Sequence, residues 1–225
     1  MNSQTLRSLI QGPAGQLECA VDTPHSEPLG IGIICHPHPQ HGGTMDNKVV
    51  HTIARAFIQL GLQSVRFNFR GVGQSEGQWA EGIGELDDAL AVIRAFRSPA
   101  QPFFLAGFSF GAYIASEAAT RMPVDELPQR MVLVGPSTQH QVMPPVPADT
   151  VVIHGESDEV VPLNATLDWA RPQNLPVIVF PGAGHFFHGQ LSQLRSVVIQ
   201  QLRSLPPLWG GSTTLSNHVF QMTLQ

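Results

Sequence analysis

Five stretches of this chain are continuously apolar, and a glycine or a proline lies within two residues of where each stops. They are Leu29–Cys35, Phe103–Ala106, Met131–Val134, Val151–Ile153 and Val177–Phe180. Strands that read as unbroken apolar runs fit a sheet covered on both faces. Between them lie segments with helical spacing: a helix after Asp46 or Asn47 that Gly61 closes, one over Gly84–Phe96 with Leu86, Leu90, Ile93 and Phe96 on one side, one to about Met122, one over Pro162–Ala170, and one from about Gly189 to Leu205. Ser64–Phe69 is a further strand. Strands that alternate with helices imply parallel βαβ units. Ahead of them, Leu6–Ile10 and Gln16–Val21 flank Gly12-Pro13-Ala14-Gly15, which predicts an antiparallel hairpin. The expectation is a three-layer α/β fold, with a mostly parallel sheet and an antiparallel N-terminal hairpin.

One of these runs ends in chemistry. Gly107-Phe108-Ser109-Phe110-Gly111 follows the Phe103–Ala106 strand and opens directly onto a helix-capable segment. A Gly-x-Ser-x-Gly turn between strand and helix holds its serine on a strained backbone, with glycines two residues either side for steric reasons. The motif is weak alone and needs an acid and a histidine later in the chain. Asp158 follows the strand ending at Gly155, and His185 follows the strand ending at Phe180. Parallel strands place their carboxyl ends on one rim, so Ser109, Asp158 and His185 should converge. Serine is a poor nucleophile unless a base takes its proton, and the base needs an acid to fix its tautomer. The backbone N–H of Phe110 is the expected first oxyanion donor. The second should come from the loop after Leu29–Cys35, where His38 has an N–H and Pro37 and Pro39 have none. Asp149 and Asp168 are rival acids, but one precedes its strand and the other falls inside a helix. His188 is the rival to His185.

With these residues in hand, the chain resembles the α/β-hydrolase superfamily. More narrowly it resembles small bacterial cap-less hydrolases of the carboxylesterase kind, akin to dienelactone-hydrolase-like and X-Pro-peptidase-like proteins. The resemblance is carried by His36-Pro37-His38-Pro39 with Gly42–Lys48, Asn68–Gly77, Gly107–Gly111, His154–Asp158 and Gly184-His185. It covers residues 29 to 190 and is specific for fold and triad, much less so for substrate. Dienelactone hydrolases carry a cysteine nucleophile and haloalkane dehalogenases an aspartate, so Ser109 disfavours both reactions.

The remaining readings set limits. A 42% hydrophobic and 13% charged composition excludes disorder, and a net charge of −5 with no basic run argues against nucleic acid or an anionic membrane. Cys19 and Cys35 form no disulfide framework, and no secretory signal or membrane-length apolar run is evident, so a cytoplasmic protein is expected. Neither a metal nor a cofactor is expected: His36, His38 and His41 are close together, but prolines stiffen them into a loop wall. Gly71-Val72-Gly73…Gly77 shapes the fold, with Arg70 on loop carbonyls, and does not cradle phosphate. Residues 1–205 form one domain. Residues 206–225 show no clear periodicity and are expected to be a tail; the sequence does not decide between packing on the body and packing on a neighbouring subunit, which leaves a homodimer open. The short Pro136–Ala148 segment has little room for a cap, so the expected substrate is a small short-chain ester. A thioesterase, a small-peptide peptidase or a non-catalytic binding module on the same fold are the alternatives.

Overall fold

The structure is a computed structural model that describes residues 5–203; the proposed 206–225 tail lies outside them. The hairpin forms as β1 (Leu6–Gly12) and β2 (Gly15–Asp22). Then come β3 (Ile31–Cys35), α1 (Lys48–Gln59), β4 (Gln63–Phe67), α2 (Ile83–Phe96), β5 (Phe103–Phe108) and α3 (Phe110–Thr120). The last part holds β6 (Arg130–Val134), β7 (Val151–Gly155), α4 (Leu163–Ala170), β8 (Val177–Phe180) and α5 (Leu191–Arg203).

One eight-stranded sheet runs in the order β1-β2-β4-β3-β5-β6-β7-β8. β1–β2 and β2–β4 pair antiparallel, and every later pair is parallel. After β3 the chain steps outward to β4, then returns to lay β5 on the other side of β3. That reversal makes the carboxyl ends of β3 and β5 the switch point, where open α/β sheets hold their ligands.

Helices cover both faces. One core packs Leu17, Phe67, Phe69, Val92 and Leu105 against Phe110, Ile114 and Ala115; the other packs Phe104, Phe108 and Ile153 against Val50, Ile53, Phe57, Leu194 and Val198. Local sequence explains why these elements start and stop where they do. Asn47 Oδ1 accepts from Val49 N–H at 2.8 Å and caps α1, and Gly61 at φ 80° ends it. Gly32 lets α1 lie close on the sheet, because a Cβ there would sit 2.1 Å from the Phe57 ring. Phe57 is fully buried, and truncating it to alanine should cost about 3–5 kcal/mol.

Candidate active site

The turn between β5 and α3 is the sharpest point in the fold. Ser109 sits at φ 56°, ψ −119°. A non-glycine residue in such a conformation costs about 1–3 kcal/mol and persists only when its surroundings hold it. They do so here: Ser109 N–H donates to Val134 O at 2.9 Å, one residue past the end of β5. The flanking glycines are obligatory. A Cβ on Gly107 would lie 2.2 Å from Gly111 O, and one on Gly111 would lie 2.2 Å from Cys35 O. Phe110 begins α3, so its N–H is one of the helix's unpaired first donors, and the positive helix end lies at the serine.

The other two residues arrive from β7 and β8. His185 Nδ1 is 2.7 Å from Asp158 Oδ2, and both side chains are buried. Asp158 Oδ1 accepts from Val160 N–H at 2.9 Å and Val161 N–H at 2.7 Å. Burial raises the Asp158 pKa, but the hydrogen bonds from His185 and Val161 outweigh it, so its carboxyl stays below the usual range. An ionised Asp158 makes Nδ1 the protonated nitrogen of His185 and leaves Nε2 bare. The His185 ring lies 4.9 Å from that of Phe108, the residue before Ser109. Gly135, at φ 50°, clears the ring's edge, since a Cβ there would come within 3.3 Å of Cε1. Glu159 Oε2 accepts from the His185 backbone N–H at 3.3 Å. The serine turn, the histidine and the acid therefore meet on one rim.

The rival residues lie elsewhere. Asp149 pairs with Arg130 and Asp168 with Arg171, and His188 is exposed.

The loop after β3 supplies the wall opposite. His38 lies with its ring 4.9 Å from Phe110, 4.6 Å from Trp79 and stacked at 4.4 Å on His41. Its carbonyl accepts from His41 and Gly43, while the N–H groups of His38 and Phe110 donate to no backbone carbonyl among the described residues. His36 is structural. Its Nε2 accepts from Phe69 N–H at 3.0 Å and its Nδ1 contacts Pro37 O, and burial pushes its pKa down to about 3. Arg70 corrects the sequence expectation. It does not bind loop carbonyls but grips buried Asp88 on α2, Nε to Oδ2 at 3.0 Å and Nη2 to Oδ1 at 2.7 Å. A guanidinium fork matches a carboxylate better than scattered carbonyls.

A layer behind Asp158 escapes the sequence reading. His154 Nε2 lies 2.8 Å from Val161 O and 3.4 Å from Asp158 Oδ2, and its Nδ1 is 3.1 Å from Thr166 Oγ1. Thr166 in turn is 3.0 Å from Thr138 Oγ1. The signal was a lone ionisable residue, fully buried in the apolar β7 run; buried polar groups have partners.

Residues 33–151 match the serine aminopeptidase family S33. An uncharacterized protein of Rickettsia prowazekii is 30% identical over 204 residues, covering 84% of this chain and 85% of that one. The chain belongs to the α/β serine hydrolases. An α/β serine hydrolase homologue from Coxiella burnetii superposes on this hydrolase with a TM-score of 0.81 at 41% identity, over 90% of this chain and 99% of that one. A serine hydrolase of Xanthomonas campestris described as lacking a lid superposes at 0.83 and 37% identity, over 93% and 98%. Among the described residues of the hydrolase, no helix is long and apolar enough to cross a membrane.

Proposed function

We propose that this chain cleaves short-chain carboxylic esters through an acyl-enzyme. Ser109 Oγ attacks the ester carbonyl and His185 Nε2 takes its proton. The tetrahedral oxyanion is met by the N–H groups of Phe110 and His38. The intermediate collapses, the alkoxide leaves with the proton from His185, and water repeats the sequence to release the acid. The observation that carries this reading is the strained Ser109 turn beside a His185–Asp158 pair of 2.7 Å.

The connection between β6 and β7 supports this substrate class. Residues 136–148 hold no helix or strand, and they are tied down rather than arched over the rim. Met143 is buried in the core, Trp169 Nε1 donates to Pro144 O at 3.2 Å, and Val146 N–H donates to Gln173 Oε1 at 2.9 Å. An open site without an apolar cap favours short acyl chains over long ones. Hydrolysis of p-nitrophenyl esters from acetate to palmitate tests this: activity should peak at acetate or butyrate and vanish in Ser109→Ala. A preference for palmitate would overturn the substrate class, and full activity in Ser109→Ala would overturn the mechanism.

The family match to serine aminopeptidases favours small peptides as the second reading, since the same groups serve amide cleavage. An amide and thioester panel beside the esters separates the two. Action on a small soluble ester accords with a cytoplasmic site of work, with no nucleic acid or membrane as partner.

A further inference from the structure

Away from the serine turn, α1 and α5 lie side by side on one face of the sheet. A cavity of about 390 Å³ opens between them, lined by Lys48, His51, Thr52 and Arg55 of α1 and Leu191, Ser192 and Arg195 of α5. Its size is at the lower end for small-molecule sites. Among the described residues, no acidic side chain lines it.

That concentration runs against the balance of the chain, which has 12 Lys and Arg against 17 Asp and Glu. All 12 fall among the described residues. Six of them, Arg7, Arg66, Arg70, Arg97, Arg130 and Arg171, are held in ion pairs. Of the six that form no ion pair among the described residues, three, Lys48, Arg55 and Arg195, meet in this one cavity. Like charges that share a wall without a protein counter-charge repel one another, and an anion between them reverses the sign of that interaction.

His51 adds a directed donor. Its Nε2 lies 2.9 Å from Arg66 Nη1. A guanidinium nitrogen only donates, so Nε2 accepts and the ring proton sits on Nδ1. No protein group among the described residues accepts from that Nδ1–H. Asp46, 3.2 Å from Nε2, is already bridged to Arg7 and Arg66 and does not line the cavity. Thr52 Oγ1 is committed to Lys48 O at 2.7 Å, which leaves Ser192 to supply the hydroxyl. Lys48 and His51 lie in the first turn of α1, and Leu191 and Ser192 in the first turn of α5, where the helix dipoles also favour negative charge.

We propose that this cavity binds a small phosphate-bearing anion of the diphosphate class, held by Lys48, Arg55, Arg195, His51 Nδ1–H and Ser192. Three cations and two neutral donors suit a multiply charged ligand, and the planar guanidinium forks match phosphate oxygens. Each lining helix follows a loop of the candidate active site: α1 follows the loop that carries His38, and α5 follows the loop that carries His185.

Isothermal titration of the full chain with inorganic pyrophosphate, and separately with adenosine diphosphate, tests the assignment. Saturable binding that weakens with added salt is expected. Arg55→Gln and Arg195→Gln should each weaken it about tenfold. Arg94→Gln removes the same charge from an exposed, unpaired arginine on α2 and should leave binding unchanged. Thermal melts report whether each variant is folded, and Lys48→Gln, at an exposed side chain, serves if an arginine variant is not. Tighter binding of the nucleotide assigns the site to a phosphorylated organic molecule, and equal binding assigns it to free diphosphate. No saturable binding up to millimolar pyrophosphate, or an equal loss in Arg94→Gln, would overturn the proposal.

Discussion

Asp158 Oδ2 and His185 Nδ1 are 2.7 Å apart, while the second carboxylate oxygen of Asp158 is occupied by two backbone N–H groups. The acid is thus fixed at both oxygens, and only the histidine is left free to respond to a reacting group. Asp158→Asn keeps the shape but presents an amide that can drive His185 into the other tautomer. We expect kcat for a short ester to fall about 10⁴-fold with little change in KM. Asp149→Asn, at the opposite end of its strand, should leave the rate unaltered. Comparable rates for Asp158→Asn and wild type would remove Asp158 from the mechanism.

His154 lies 3.4 Å behind that acid, and we expect it to act as a positioning residue. It is buried neutral, since burial outweighs the Asp158 charge and the Val161 carbonyl and lowers its pKa. Replacing it with leucine leaves Val161 O without this partner and Thr166 Oγ1 with Thr138 alone. A loss of about tenfold in kcat at unchanged KM is expected, near 1.4 kcal/mol. The informative comparison is the double variant with Asp158→Asn. If His154 acts only through Asp158, it adds no further loss there. An additive loss would mean that His154 merely holds the fold together.

The pH dependence of stability has a definite sign. His36 has a folded pKa of about 3 against an ordinary 6.5. The unfolded chain therefore binds the proton first, and the stability present above pH 6.5 is lost as pH falls toward 3. Asp158, with its pKa depressed, adds a second loss once pH falls through the carboxylate range. Urea midpoints should drop steadily from pH 7 to pH 4. His36→Gln should flatten the upper part of that slope. A midpoint independent of pH across this window would show that His36 is not buried neutral.

Gly107→Ala probes the turn itself. Its Cβ would lie 2.2 Å from the backbone of Gly111, where no side-chain rotation relieves the clash. A loss of about 3 kcal/mol or more is expected by denaturant unfolding, with esterase activity falling alongside. A variant of wild-type stability would mean the turn is looser than its geometry.

Much of this site was legible in sequence because the chemistry is local to strand ends. Ser109, Asp158 and His185 each follow an apolar run with a glycine or a proline within two residues of its end. The parallel register of β5, β6, β7 and β8 then brings those ends together. What pattern alone could not supply was partner choice across the fold. Arg70 looked free to cap loop carbonyls until Asp88, 18 residues on, turned inward to meet it. His154 read as part of a motif, and its bridge to Thr166 depends on how α4 docks on β7. The cationic cavity joins α1 to α5, segments more than 130 residues apart, and no spacing rule relates them.

In the proposed mechanism Ser109 is the nucleophile of this serine hydrolase, activated by His185. Intact-mass measurement after reaction with a fluorophosphonate tests it most directly. The folded protein should gain one adduct, located on Ser109, while Ser109→Ala gains none and His185→Ala reacts far more slowly. Undiminished labelling of Ser109→Ala, or no labelling of the folded wild-type chain, would contradict it.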